Sequence, residues 1–130
     1  MKTSHTTLFA ALTIAFTAHL HAEQGRTIPA QFHGTWTWNE NGVHPENGEQ
    51  PLTISSKEIT AHETSGKVAG TVEISADGRT CTVSVDAACE GMEGKEKLTL
   101  ILSSDGKRLT LKQGNTNTCG FGAGDYYRAR

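Results

Sequence analysis

From residue 32 onward, apolar side chains return at every second position in eight short runs. Alternation with a period of two puts successive side chains on opposite faces of a β-strand. "FHGTWTW" sets Phe32, Gly34, Trp36 and Trp38 on one face and His33, Thr35 and Thr37 on the other. "PLTIS", "EITAHE", "VAGTVEI", "TCTVSVDA", "KLTLIL", "RLTLK" and "DYYRAR" follow. Helical periodicity is almost absent. Asp77-Gly78 and Asp105-Gly106 are tight-turn signals, because glycine accepts the positive φ that such turns need. Residues 55–57 and 64–66 read as short links, and residues 39–50, 88–94 and 114–124 as longer connections. Strands with one apolar face must bury it, and a two-layer sandwich or a closed barrel does so. Closure also removes unpaired edges. The expected architecture is all-β: a small eight-stranded up-and-down antiparallel β-barrel in one domain, residues 23–130.

The first 22 residues are set apart from that domain. Lys2 precedes an apolar run, "LFAALTIAFTA", and Leu20 and Ala22 fit the positions before a cleavage site. This is the pattern of a signal peptide, and the run is too short to span a bilayer as a helix. Cleavage after Ala22 is expected, with a periplasmic or secreted product. The whole chain has 12 Lys and Arg against 14 Asp and Glu, so loss of Lys2 leaves a weakly acidic remainder. The charges are interspersed, and no basic stripe suited to phosphates occurs, which argues against nucleic acid. No later apolar run suggests a membrane span.

"GTW" on the first strand and Arg128 on the last resemble the calycins, the superfamily of lipocalins and avidins. The resemblance implies a barrel in which Gly34 and Trp36 pack against Arg128, and all three are structural by that reading. "IPAQFHGTW", "EITAHET", "LSSDGKRLTL" and the terminal "YYR" are also similar to a class of small exported bacterial proteins without assigned biochemistry. That similarity implies location and fold, and it transfers no active site.

Up-and-down order sorts the connections between two ends. The three longer ones fall together at the end reached by the first strand, and the Asp-Gly turns fall at the other. Loops on a rigid scaffold commonly carry binding surfaces. The same order treats the three cysteines. Cys81 and Cys89 lie mostly along one strand, roughly 25 Å apart at about 3.3 Å per residue. A disulfide needs Cα atoms within about 7 Å. Cys89–Cys119 is the expected bridge, with Cys81 a buried free thiol, and Cys81–Cys119 is the alternative.

His44 and His62, with Glu46 and Glu63 near them in sequence, do not have metal-ligand spacing. "HET" at 62–64 is not a zinc-protease motif, no Gly-x-Ser-x-Gly occurs, and "GFGAG" is not followed by the Lys-Ser or Lys-Thr of a phosphate loop. No catalytic residue, metal or cofactor is expected. The glycines around Phe121 read as a flexible loop whose aromatic either anchors a partner or folds back onto the barrel mouth. Trp36 and Trp38 read first as barrel filling. Together with His44 and Phe121 they are the candidate contacts for a ligand or partner. The expected function is non-enzymatic binding at the long-loop end by a monomeric exported barrel. One version carries a small apolar ligand. The other engages a protein partner, for instance as a periplasmic inhibitor or immunity protein against a cell-wall hydrolase, with Glu40, Glu46 and Glu49 approaching a basic enzyme.

Overall fold

A computed structural model of the chain describes residues 23–42, 51–114 and 118–130. Its strands are β1 (Glu23–Gly25), β2 (Gly34–Thr37), β3 (Leu52–Ile54), β4 (Glu58–Ala61), β5 (Thr64–Val68), β6 (Val72–Ile74), β7 (Thr80–Cys89), β8 (Met92–Leu102), β9 (Arg108–Gln113) and β10 (Gly124–Arg128). A single 3-10 turn, Ala30–Phe32, precedes β2. All pairings are antiparallel. Around the wall the order is β2, β3, β4, β5, β7, β8, β9, β10 and back to β2, a closed eight-stranded barrel. β6 continues β5 along the same edge of β7 after a break at Gly70, whose φ is +86°. β1 lies outside the ring and pairs with β6.

The alternation places the core. Trp36, Leu52, Ile54, Ile59, Val83, Val85, Leu98, Leu100, Leu109 and Leu111 point inward and are fully buried. The outer face is polar and threonine-rich, as on β9, where Arg108, Thr110 and Lys112 alternate with the buried leucines. The two Asp-Gly turns are built alike. Asp77 Oδ1 accepts from Ser75 Oγ at 2.5 Å and Arg79 N at 3.0 Å. Asp105 Oδ1 accepts from Ser103 Oγ at 2.6 Å and Lys107 N at 3.0 Å. Gly78 and Gly106 each take φ +71°. These bonds favour the carboxylate and hold both aspartates below their ordinary pKa of 3.8, the serine hydroxyl being the largest cause.

The Asp-Gly end is closed by residues from both termini of the barrel. Arg128 lies 4.2 Å over the Trp36 ring. Its Nη1 donates to His33 O at 2.9 Å, its Nη2 to Gln31 O at 3.0 Å and its Nε to Gly106 O at 3.2 Å. Trp36 Nε1 donates to Phe32 O at 3.1 Å. Gly34 takes φ +127°, and a Cβ there would come within 3.4 Å of Arg128 Nη1. The arrangement implied for Gly34, Trp36 and Arg128 is therefore present.

Four expectations are corrected. Residues 64–66 are strand, and the turn is His62–Glu63, because Ala61 pairs with Thr64 and Glu63 takes φ +54°. Residues 88–94 are not a long loop. Cys89 pairs with Met92, and only Glu90 and Gly91 turn, both with positive φ. Phe32 belongs to the 3-10 turn, where it plugs the closed end fully buried. Trp38 does not fill the interior. β2 ends at Thr37, the chain then turns so that Gly42 N bonds Asn39 O, and Trp38 is left 49% exposed at the open end. Strand β1 has no apolar alternation to announce it. It exists because the outer edge of β6 is otherwise bare.

Arg128→Ala removes the stacked cation and leaves three carbonyls at the closed end without their donor. It is expected to lower unfolding stability by about 2–3 kcal/mol, read from urea denaturation, with Arg128→Lys recovering only part. For Asp105 the sign follows from its lowered pKa. Its contribution is present above the unfolded value of about 4 and is lost as pH falls through the folded value. Ser103→Ala is expected to move the Asp105 midpoint upward in an NMR carboxyl titration, and an unchanged midpoint would refute this account.

Candidate functional site

The open end of the barrel is filled from above by residues 118–122. Cys119 and Phe121 are buried, and the Phe121 ring reaches across to β5. A Cβ on Gly66 would lie 2.8 Å from Phe121 Cζ and 2.8 Å from Val85 Cγ2, so glycine is what leaves the ring its seat. Phe121 is thus a plug, folded back onto the barrel mouth and not an exposed anchor.

Four strands hold the plug. β7 supplies Cys89, bonded to Cys119 across a Cα separation of 5.7 Å. β8 supplies Glu96, whose Oε1 accepts from Cys119 N at 3.1 Å. β9 supplies Gln113. Its Nε2 donates to Cys119 O at 2.7 Å and to Glu96 Oε2 at 3.3 Å, and its Oε1 accepts from Phe121 N at 3.0 Å. β10 supplies Tyr126, whose hydroxyl donates to Phe121 O at 3.4 Å and also to Gly122 O. An irregular segment can enter the barrel only if its peptide groups find partners there. These side chains are the partners. Burial pushes the Tyr126 phenol above its ordinary value, partly offset by a hydrogen bond from Trp38.

Glu96 and Gln113 went unnoticed in the sequence although the alternation points to them. Glu96 stands two residues before Leu98, and Gln113 two after Leu111, on the inward-facing rows. A polar residue at an inward position near a strand end marks a place where something other than apolar packing is held.

The Cys89–Cys119 bridge is the expected one, and Cys81 is a buried free cysteine whose thiol is pushed up to about 11 by burial. Trp36 lies fully buried in the core, under Arg128. His44, Glu46 and Glu49 lie outside the described residues, as do residues 1–22. His62 stands exposed at its turn, with Nε2 3.7 Å from Glu63 Oε1. Among the described residues no three His, Cys, Asp or Glu side chains converge as metal ligands.

Between the plug and the rim lies a depression of about 200 Å³, lined by Trp38, Leu52, His62, Phe121, Gly122 and Tyr126. Clefts that enclose small ligands usually measure about 300–1,000 Å³. The depression has room for one side chain or one ring. Trp38 forms its outer wall and packs against Tyr126, ring centroids 5.9 Å apart. A groove of about 480 Å³ on the outer wall runs past Lys67, Asp86 and Lys95, and the Lys95–Asp86 ion pair at 3.3 Å crosses it. No helix among the described residues is long and apolar enough to cross a membrane. No protein-family model, curated protein or solved structure matches the chain.

Gly66→Ala drives a methyl group into Phe121 and Val85. A loss of about 1–3 kcal/mol is expected in chemical denaturation. Combined with Phe121→Leu the loss should shrink, and purely additive effects would show that the two residues do not share a seat.

Proposed function

We propose that the protein is an exported, non-enzymatic binding module that engages a macromolecular partner with the open end of its barrel. The observation that carries this reading is the plug. Phe121 occupies the space in which a carrier barrel would hold its cargo, and a disulfide and a buried carboxylate–amide network keep it there. A barrel filled at one end by Phe32, Trp36 and Arg128 and at the other by Phe121 has its surface left for recognition. The depression beside Trp38 is suited to one anchoring side chain of a partner, the usual form of a binding hot spot.

The disulfide favours an oxidising compartment, since such bridges persist outside the cytoplasm. With the signal-peptide pattern of residues 1–22, this supports a periplasmic or secreted location. Inhibition of, or immunity to, a cell-wall hydrolase is one activity that such a module would serve. Carriage of a small apolar ligand is the rival, and it requires the plug to leave.

Native mass spectrometry of the protein purified from the periplasm separates the two. The expected result is a bare chain, starting at Glu23 and two hydrogens lighter than its fully reduced form. A small mass that co-purifies and is lost on unfolding would replace the partner reading with the carrier reading.

A further inference from the structure

The fold sorts charge between the two ends of the barrel in a way that the interspersed sequence conceals. At the open end, the charged residues of the described connections are Glu40, Glu63 and Glu90, and all are exposed. Glu93 and Asp125, one step into β8 and β10, add to the same rim. No Lys or Arg lies in those connections. The cations Lys67, Lys95 and Lys112 are exposed on the strand walls, and Lys95 is paired with Asp86. The closed end has the opposite balance. Its turns and the residues one step into the strands carry Lys57, Arg79, Lys107, Arg108 and Arg128 against Glu58, Asp77 and Asp105.

The exposed large apolar side chains follow the same division. Among the described residues they are Trp38 and Met92, each 49% exposed, and both belong to the open end. Each continues an inward-facing row past the rim, Trp38 beyond Trp36 and Met92 beyond Gly94. The plug already fills the space below, so these side chains have no room inside. Trp38, walling a depression sized for one side chain, and Met92, beside the β7–β8 turn on the same rim, give a surface with one sign of charge two apolar anchors. Complementary charge speeds encounter and excludes wrong partners, while buried aromatic anchors supply most of the holding energy.

We infer that the open end docks onto the cationic face of a protein, with Trp38 and Met92 as the apolar anchors and the rim glutamates as the steering field. This rests on the binding-module reading and adds to it the surface and the chemistry of the partner. A basic protein with an apolar cleft, of which a muramidase is one kind, presents that chemistry.

The test uses the full mature chain, with a c-type lysozyme and a cytochrome c as basic probes and serum albumin as the acidic control. Binding is measured by calorimetry. At about 20 mM salt the basic probes are expected to bind and albumin to remain unbound, with affinity falling severalfold toward about 200 mM. Replacing Glu40, Glu63, Glu90 and Glu93 by Gln should weaken binding tenfold or more. Trp38→Ser with Met92→Ser should speed dissociation severalfold. Lys57→Gln with Lys107→Gln, at the other end, should change neither. Circular dichroism and the intact disulfide confirm that each variant folds, which is expected because every substituted residue is exposed. Binding that survives the open-end variants and fails in the closed-end pair would overturn the surface while leaving a binding module. Failure of both basic probes at low salt would overturn the cationic-partner assignment. A co-purified small ligand in the mass spectrum would remove the underlying reading as well.

Discussion

The Arg128 guanidinium on Trp36 joins the last strand of the wall to the first. An open sheet of eight strands keeps two bare edges, and β2 and β10 share a short seam, Tyr127 with Thr37 and Arg128 with Trp36, extended by the bond from Ala129 N to Thr35 O. So short a seam is weak by backbone bonds alone. The guanidinium supplements it by stacking on the indole and by reaching carbonyls at Gln31, His33 and Gly106, which belong to the 3-10 turn and to the β8–β9 connection. One planar cation with several donors thus ties three parts of the chain at the closed end. Lysine, with a compact charge, offers no such fork. Gly34 is part of the same interaction, since its backbone is left-handed where the guanidinium approaches.

The two ends of the barrel solve one problem by different means. The closed end is filled by large rings, Phe32 and Trp36, under the guanidinium. The open end must take in a loop, and a loop brings peptide groups that cannot be left bare. Glu96, Gln113 and Tyr126 supply the missing partners, while Cys89 fixes the loop by a covalent bond. Closing about 30 residues with a disulfide contributes roughly 3–4 kcal/mol in the chain-entropy account. The plug consequently belongs to the core, and recognition is left to the rim above it.

How much of this could be read in advance differs from residue to residue. The eight-strand pattern, the two Asp-Gly turns, the inward placement of Trp36, the role of Arg128 and the Cys89–Cys119 bridge were all legible. The role of Arg128 came from the calycin resemblance; the others follow from period-two alternation, from glycine's conformational freedom or from the order of strands around a barrel. Trp38 was misplaced because alternation does not say where a strand ends. Two positions past Trp36 the row has left the barrel. Phe121 had two readings, exposed anchor or ring folded back onto the barrel mouth, and the structure takes the second. A glycine-rich segment looks exposed and loose, and only the absent side chain at Gly66, far away in sequence, shows that a ring is received there. Glu96 and Gln113 were visible as polar residues on inward rows, yet their meaning depends on Cys119 and Phe121 lying between them.

The sequence by itself determined the class of fold, the direction each strand residue faces and the pairing of the cysteines, because these depend on local backbone geometry and on strand order. Tertiary structure alone decided what fills the barrel, which aromatic stays outside it and how charge divides between its ends. Those outcomes depend on contacts between residues distant in the chain. A side chain's burial is set by the space its neighbours leave, and a carboxylate's company by which turns the closed wall brings to the same rim.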